Sequence, residues 1–408
     1  MKTSKLFLLF ILSVLWLPLG ARVVQTYHVT EPGSLATMMG ESWTGIDSLV
    51  VTGDINADDV ATMRLCVDQG RTTGINLLDA ALPNDALPVE AFREDLKIYD
   101  EQHVGYDYRL QYITLPQHLR SIGTEAFAYC GLRQIDLPET LESIGDNAFM
   151  GCCWLSGKVC VPPLVTSLTG TFSNCERVRE VEIQAENCIL GNSTFDGMFS
   201  LRHLKLPEKW SVNNSSHTFR NCRSLEGEFV ISASTKRLND GLFVMCSSLK
   251  RVVMPEYLYS SFTSFDYSGL EDVVWPKSMT WGNAWSFSFR HCKFKQFFAN
   301  TFMRWVEPKN FAGNEMLEEF GLDPSIELRA NALAGCRLLK AVYSVGATPP
   351  AITGGNPFPD KRADAVLYVP VGAKDVYQAT EYWDTFSQIV ELEEFPEWVV
   401  SHSRILQQ

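Results

Sequence analysis

The chain has 408 residues and a formal net charge of −13. This acidic balance argues against nucleic-acid binding by charge alone and against a basic patch for anionic lipid. A chain of this length forms two or three ordinary domains unless it is a repeat array, whose core grows along one axis.

The first 21 residues have the pattern of a signal peptide. Lys2 and Lys5 give a positive start, residues 6–17 form an apolar run too short to span a bilayer, and residues 18–21 include small residues suited to cleavage. No later segment is apolar enough to cross a membrane, so no transmembrane segment is predicted. We therefore expect the mature chain to be exported, either secreted or held at the cell surface.

Residues 22–108 do not follow the period described below, and we interpret them as an N-terminal α/β cap with degenerate coils, the last around Phe92. Asn56 is a favourable N-cap residue for a helix over 58–67. Segment 53–59 resembles the start of a calcium loop but lacks the glycine and the bidentate acid of such loops, so a helix start is the favoured interpretation. The other elements predicted in this cap are a helix over 34–39 and strands over 48–52 and 75–78.

A repeat of 22–24 residues follows the cap. Its clearest copy, residues 137–152, reads LPETLESIGDNAFMGC, and residues 115–130 read LPQHLRSIGTEAFAYC. A large apolar anchor recurs with this period, at Phe127, Phe149, Phe172, Phe195, Phe219, Phe243, Phe265, Phe289, Phe311 and Leu333. Such a period is typical of a solenoid, in which each unit buries its apolar side by stacking on its neighbours.

An alternating triplet follows each anchor, as in Ile135-Asp136-Leu137. Alternation with period two predicts a short strand with two side chains inward and one outward. Stacked coils then form one long parallel sheet. The expected fold class is an α/β solenoid of leucine-rich repeat type with about ten coils over residues 109–345. A C-terminal cap over 346–408 closes it, with a strand over 366–370 and a helix over 373–383.

Seven of the eleven cysteines lie three residues after an anchor, at Cys130, Cys152, Cys175, Cys222, Cys246, Cys292 and Cys336. We interpret them as a ladder of buried thiols that act as small hydrophobic side chains. Adjacent coils lie about 5 Å apart, so disulfides along the ladder are compatible with the spacing but not required by it. The chain has no Cys-x-x-Cys pair and no interleaved histidines, so neither a metal site nor a cofactor is predicted.

The pattern LP-x-x-L-x-S-I-G-x-x-A-F-x-x-C in residues 115–130 and 137–152 resembles the BspA-like leucine-rich repeat family. The ending Leu367-Tyr368-Val369-Pro370 with Tyr377 and Trp383 is similar to the C-termini of that family. The resemblance covers roughly residues 110–395. It implies a leucine-rich repeat fold and a location in the bacterial envelope. It also implies adhesion to host or cell-surface proteins, and it brings no residue-level binding motif.

The outward residue at the middle of each predicted strand points to a binding surface. This series begins polar, with Asp136, Glu182 and Lys205, and becomes an apolar stripe. The candidate partner-binding residues are Val230, Val253, Val274, Phe298 and Tyr343, together with the nearby Trp281 and Trp285. Two alternatives remain open: the register slips in these divergent coils and makes some of these residues core, or another segment covers the stripe.

The function expected from these features is that of an exported, non-enzymatic protein that binds a protein or glycan at a surface. The chain has no His-Glu-x-x-His helix and no Gly-x-Ser-x-Gly turn, so no catalytic residue is predicted and an enzyme ranks last. The alternative is an envelope protein that stacks sugars on Trp281, Trp285 or Trp305. The sequence leaves the ligand, the means of envelope attachment and the oligomeric state open.

Overall fold

The computed structural model describes residues 22–98, 104–212, 215–279, 285–303 and 305–407. The predicted signal peptide lies outside these residues. The described chain forms two compact units, 22–188 with 203–207, and 189–202 with 208–407. No helix in the described ranges has both the length and the apolar composition that crossing a bilayer requires.

Short parallel strands dominate the structure, and helices are few. Within the described ranges the α-helices are α1 (Leu35–Met39), α2 (Ala57–Asp68), α3 (Lys374–Gln378) and α4 (Glu397–His402), and 3-10 turns cover Ser42–Gly45, Pro83–Asp85 and Trp383–Thr385. The strands are β1 (Val24–Val29), β2 (Ser48–Asp54), β3 (Gly74–Asn76), β4 (Ala80–Ala81), β5 (Ala86–Leu87), β6 (Lys97–Ile98), β7 (Val104–Gly105), β8 (Tyr112–Thr114), β9 (Ser121–Ile122), β10 (Ser143–Ile144), β11 (Ser156–Val161), β12 (Ser167–Leu168), β13 (Arg177–Ile183), β14 (Asn187–Leu190), β15 (His203–Lys205), β16 (Lys209–Ser211), β17 (Gly227–Val230), β18 (Arg237–Leu238), β19 (Leu249–Val253), β20 (Tyr257–Leu258), β21 (Ser260–Ser264), β22 (Asp272–Val274), β23 (Ser278–Met279), β24 (Trp285–Ser288), β25 (Gln296–Ala299), β26 (Trp305–Val306), β27 (Glu319–Leu322), β28 (Glu327–Arg329), β29 (Ala341–Ser344), β30 (Ile352–Thr353), β31 (Val366–Pro370) and β32 (Gln388–Leu392).

The first unit begins with the predicted α/β cap. Strands β1, β2, β3 and β8 form a parallel sheet in that order. Asn56 caps α2 through a capping box, as predicted. Asp59 is fully buried, and its carboxylate accepts hydrogen bonds from the backbone N–H groups of Gly33 (2.7 Å) and Leu35 (2.9 Å). These bonds tie α2 to the loop before α1, which supports the helix-start interpretation of this acidic segment.

The coils bury their anchors as the period predicts. In the first unit, the Phe127 and Phe149 rings stack with centroids 5.3 Å apart, and Phe172 continues the stack at 5.7 Å. In the second unit the stack includes Phe219, Phe243 and Phe265, at 5.3 and 6.1 Å. All of these rings are 0% exposed. A continuous aromatic stack therefore forms the core of each unit.

The strand pairing between coils is parallel, which confirms the predicted fold class. It is distributed over sheets of two to five strands rather than one long sheet. One triplet differs: Ile135-Asp136-Leu137 forms no strand, although Ile135 is buried and Asp136 is exposed, as alternation requires. The in-and-out pattern of side chains therefore persists where the backbone ladder does not.

The ladder cysteines are more than small hydrophobic side chains. In all seven coils the thiol donates a hydrogen bond to the carbonyl of the anchor one coil earlier, with Sγ···O distances of 2.9–3.3 Å. Asn314 stands at the same repeat position and donates its Nδ2 to the Phe289 carbonyl at 2.8 Å. A small donor at this position therefore gives the buried carbonyl of the anchor a partner in these eight coils.

The second residue after the anchor adopts a left-handed conformation in both units. Tyr129 has φ 63° and His291 has φ 54°. Each ring lies over a glycine one coil later, Gly151 under Tyr129 and Gly313 under His291, and a Cβ on either glycine would clash with the ring. The glycine thus supplies both the positive φ and the space.

The C-terminal cap is partly as predicted. Strand β31 matches the predicted bounds 366–370. The predicted helix over 373–383 is wrong in length, because α3 ends at Gln378 and Tyr382 takes a left-handed conformation with φ 69°. Tyr377 explains the local packing, since its buried hydroxyl hydrogen-bonds Ser344 (2.7 Å) and the carbonyl of Gly346 (2.9 Å).

Candidate binding surface

Three neighbouring strands of the second unit present the apolar stripe. The pairing of β17, β19 and β22 places Val230, Val253 and Val274 directly side by side, which confirms the predicted register. Val230 is 58% exposed, and Val253 and Val274 are half-buried. The residue that precedes each valine on its strand, such as Val252, points into the core and is buried. Residues two positions apart on a strand share a face, so this surface is a true outer face of the sheet.

A row of charged residues runs beside the stripe on the same face. It consists of Glu228, Arg251 and Asp272, which are also register partners. Arg251 pairs with Glu228 at 3.1 Å and with Asp272 at 2.8 Å. Each of these side chains is close to half exposed. The surface thus combines an apolar row with a polar row in which one guanidinium lies between two carboxylates.

The stripe continues on the next sheet, but there it is covered. Phe298 and Tyr343 are only 3% and 8% exposed because α4 packs over them. The Trp398 ring meets both edge-on, with centroids 6.5 Å from Phe298 and 5.4 Å from Tyr343. Val399 is fully buried beside them. The prediction that Phe298 and Tyr343 form an open surface is therefore wrong, since one of the two alternatives, a covering segment, applies to them.

A buried polar contact holds this covering helix in place. Ser403 directly follows α4 and donates its hydroxyl to the Asp323 carboxylate at 2.6 Å. Both residues are 0% exposed, and burial raises the pKa of Asp323. The same carboxylate accepts a hydrogen bond from the backbone of Thr301 at 3.1 Å. The tail is thereby bonded to a carboxylate 80 positions earlier in the chain.

The three tryptophans of the predicted sugar-binding alternative differ in how much the structure describes of each. Trp281 lies outside the described residues, and Trp285 is described only as backbone in β24. Trp305 is half-buried, and the Arg329 guanidinium lies 5.2 Å from its ring centroid. An aromatic face that a cation already covers is a poor stacking platform for a sugar.

The corresponding face of the first unit is polar, as predicted. Cys160, Glu182 and Lys205 are register partners there. The Glu182 carboxylate forms ion pairs with Lys158 at 2.7 Å and with Lys205 at 2.5 Å, and these two cations lower the pKa of Glu182 to about 2. This face offers paired charges and no apolar stripe.

The chemistry of an enzyme is not visible in the part of the chain that the structure describes. In these ranges no group of three His, Cys, Asp or Glu side chains is placed to hold a metal ion. Burial raises the pKa of the ladder thiols, to about 12 for Cys246 and Cys292. A thiol with such a pKa is a poor nucleophile at neutral pH. The arrangement supplies surfaces for binding.

Sequence reasoning missed the role of α4, although the sequence carries a signal for it. Trp398 and Val399 belong to a short helix that starts after Pro396, and the apolar residues Phe395 and Leu406 lie before and after it. Phe395 and Leu406 also pack against the covered cluster. Apolar side chains on a short helix need an apolar surface to pack against, and Phe298 and Tyr343 provide that surface.

Comparison with known proteins agrees with this architecture. A BspA type leucine rich repeat region matches in six copies, over residues 98–226, 169–288 and 261–348. No curated protein matches the chain.

Several solved structures are similar to this chain. A leucine-rich repeat protein from Bacteroides ovatus is 16% identical, with 90% of this chain and 92% of that chain covered and a TM-score of 0.54. One from Eubacterium ventriosum is 14% identical, with 92% of each chain covered and a TM-score of 0.42. A leucine rich cell surface protein from Faecalibacterium prausnitzii is 17% identical, with 66% and 88% covered and a TM-score of 0.35. The repeat matches cover more than half of the sequence, and this chain is a member of the BspA-type leucine-rich repeat family.

Proposed function

We propose that this protein is an exported, non-enzymatic binding protein of a bacterial surface, which docks a partner protein on the stripe of Val230, Val253 and Val274. The proposal rests on Val230, which is 58% exposed on the outer face of its strand. Val230 is in register with two further valines on the neighbouring strands. Contiguous apolar area on a strand face is typical of interaction sites. Adhesion to a host protein or to a protein of another cell is the role that this surface supports.

The charged row supports the same proposal. Arg251 is held between two carboxylates, so it presents an oriented donor to an approaching partner. Apolar contacts at the centre of an interface supply most of the affinity, and charges at its rim set orientation and association rate. Valines flanked by such a row fit a partner with an apolar centre and a polar border.

The covering helix supports an expectation about the partner. Trp398 and Val399 of α4 pack on the apolar residues of the adjacent sheet, Phe298 and Tyr343 among them. The described part of α4 is only six residues long, yet it buries Val399 completely. We therefore expect the partner to present a short apolar segment with at least one large side chain to the three valines.

The experiment compares two substitutions of exposed aliphatic residues. Val230→Glu places a charge on the stripe, and Ile189→Glu does the same on a strand outside the stripe, at a residue that is 54% exposed. Wild-type protein is used to capture partners from host matrix and bacterial surface fractions, and each captured partner is then titrated with both variants. We expect Val230→Glu to weaken binding at least tenfold, about 1.4 kcal/mol, and Ile189→Glu to leave it unchanged.

Circular dichroism of both variants establishes that the fold is retained. The proposed surface is refuted if the two variants bind a captured partner with equal affinity. It is also refuted if wild-type protein binds that partner no better than the Val230→Glu variant does.

A further inference from the structure

The second unit contains a cleft where its sheet is interrupted. Strands β22 and β25 are the outer-face strands of successive coils, yet they belong to different sheets. A cavity of about 490 Å³ opens between them, with α4 along its far side. A second cavity of about 510 Å³ adjoins it and shares Arg251, Asp272, Trp275 and His402 with it. Each volume lies in the range of small-ligand sites.

The polar groups of the cleft include both donors and acceptors, and two of its carboxylates are already paired with cations. Arg251 and Asp272 line both cavities as an ion pair at 2.8 Å. Glu271, on the same wall, pairs with Lys250 at 2.6 Å. Gln296 on the opposite wall carries an amide, which both donates and accepts.

His402 contributes a further acceptor from the side of α4. Its Nδ1 lies 2.6 Å from the carbonyl oxygen of Trp398. A carbonyl only accepts hydrogen bonds, so Nδ1 carries the hydrogen, and in the neutral ring Nε2 is then an acceptor. The neutral ring thus adds an acceptor on α4 to the Arg251 donor among the residues that line the cleft.

Two aromatic side chains flank these polar groups. Trp275 is half-buried, and its inner side is held edge-on by Phe287 at 5.1 Å and by Phe297 at 6.2 Å. Trp398, also half-buried, lines the cleft from α4. Indole rings that are fixed by their own packing supply apolar contact area at a small cost in conformational entropy.

We propose that this cleft binds a neutral oligosaccharide. Sugar hydroxyls both donate and accept, so one ring can donate to Asp272 and accept from Arg251 without separating that ion pair. The C–H faces of the same sugar pack on the indole rings. A charged ligand that binds Arg251 or Asp272 has to compete with their ion pair, and an apolar ligand removes water from both groups without replacing the lost hydrogen bonds.

This site borders the protein-binding stripe, because Val274 lines the second cavity and Arg251 and Asp272 belong to the charged row beside the stripe. Val230 lines neither cavity. A Val230→Glu variant that loses its protein partner is therefore expected to keep its sugar, and failure of one proposal leaves the other standing.

The test uses the whole protein and four neutral probes: maltotriose, cellotriose, mannotriose and N,N′,N″-triacetylchitotriose. Trigalacturonate serves as an acidic probe. Binding is measured by saturation-transfer NMR and by calorimetry. We expect at least one neutral probe to bind at millimolar concentration or tighter. Arg251→Ala is expected to weaken that binding at least tenfold.

Arg329→Ala is the matched control. Arg329 also bridges two carboxylates, Glu307 at 2.8 Å and Glu327 at 3.3 Å, but it lines neither cavity. It is expected to leave binding unchanged. Should Arg251→Ala lose its circular dichroism signal, Gln296→Ala on the opposite wall decides in its place. The proposal is overturned if no neutral probe binds, if only trigalacturonate binds, or if the cleft variant and the control bind equally.

Discussion

Replacing Phe243 with alanine tests the aromatic stack of the second unit. The Phe243 ring is fully buried, and its centroid lies 5.3 Å from that of Phe219, 6.1 Å from that of Phe265 and 5.0 Å from that of Phe229. A buried Phe→Ala change costs about 3–5 kcal/mol, because the protein fills the resulting cavity only in part. Each lost aromatic pair adds about 0.5–1.5 kcal/mol to the burial alone. With three ring partners we expect the upper part of the range, about 4–5 kcal/mol of unfolding free energy.

Urea unfolding followed by circular dichroism measures this loss, from the change in midpoint and the slope of the transition. Tyr257→Ala is the control, because Tyr257 is an aromatic residue of the same unit that is 59% exposed. We expect the control to change stability by less than about 0.5 kcal/mol. A Phe243→Ala protein that unfolds within about 1 kcal/mol of wild type refutes the reasoning, since the stack could not then be the main support of its neighbours.

Two further predictions concern buried polar groups. Cys246→Ala removes the hydrogen-bond donor to the Phe219 carbonyl (3.0 Å) and is expected to lower the free energy of unfolding by about 1–3 kcal/mol. Cys246→Ser retains a donor and should lower it by less. Denaturant unfolding of both variants checks this order. Burial raises the pKa of Glu94 from its ordinary 4.5 to about 7, so the folded chain keeps a proton that the unfolded chain releases between those values. Stability should therefore fall as pH rises from 4.5 to 7, and Glu94→Gln should flatten that dependence in melting curves recorded across this range; an unchanged slope contradicts the assignment.

The sequence predicts the repeating part of the fold well, because its signals are local and periodic. Anchors such as Phe149 recur every 22–24 residues, and the alternation around Val253 is enough to set which side chains face outward. Asn56 identifies the start of α2 because capping depends on a few consecutive residues. Each of these features depends on neighbours in the sequence, which are visible without coordinates.

The covering of Phe298 and Tyr343 by α4 could not be predicted in the same way. It depends on Ser403 reaching Asp323, 80 positions earlier, and on Trp398 finding Phe298 and Tyr343. No periodic pattern encodes a contact between the tail and a distant strand. The interruption of the sheet beside Val274 is also invisible in the sequence, because strand patterns show which residues alternate and not whether two strands pair.

The thiol ladder lies between these cases. The spacing of Cys246 and its counterparts predicts their burial, and the structure confirms it. Their hydrogen bonds could not be derived from hydrophobicity. Asn314 is the clue in the sequence, because an amide at a position held mostly by thiols suggests a role for a donor there.

The packing of Tyr129 over Gly151 and of His291 over Gly313 restricts how the coils can diverge. A side chain at either glycine requires the ring in the preceding coil to shift or to become smaller. Tyr267 and His291 take the other course, since their rings stack with centroids 4.7 Å apart. Substitutions at this position are therefore expected to accumulate in pairs from adjacent coils, either as a ring over a glycine or as two stacked rings.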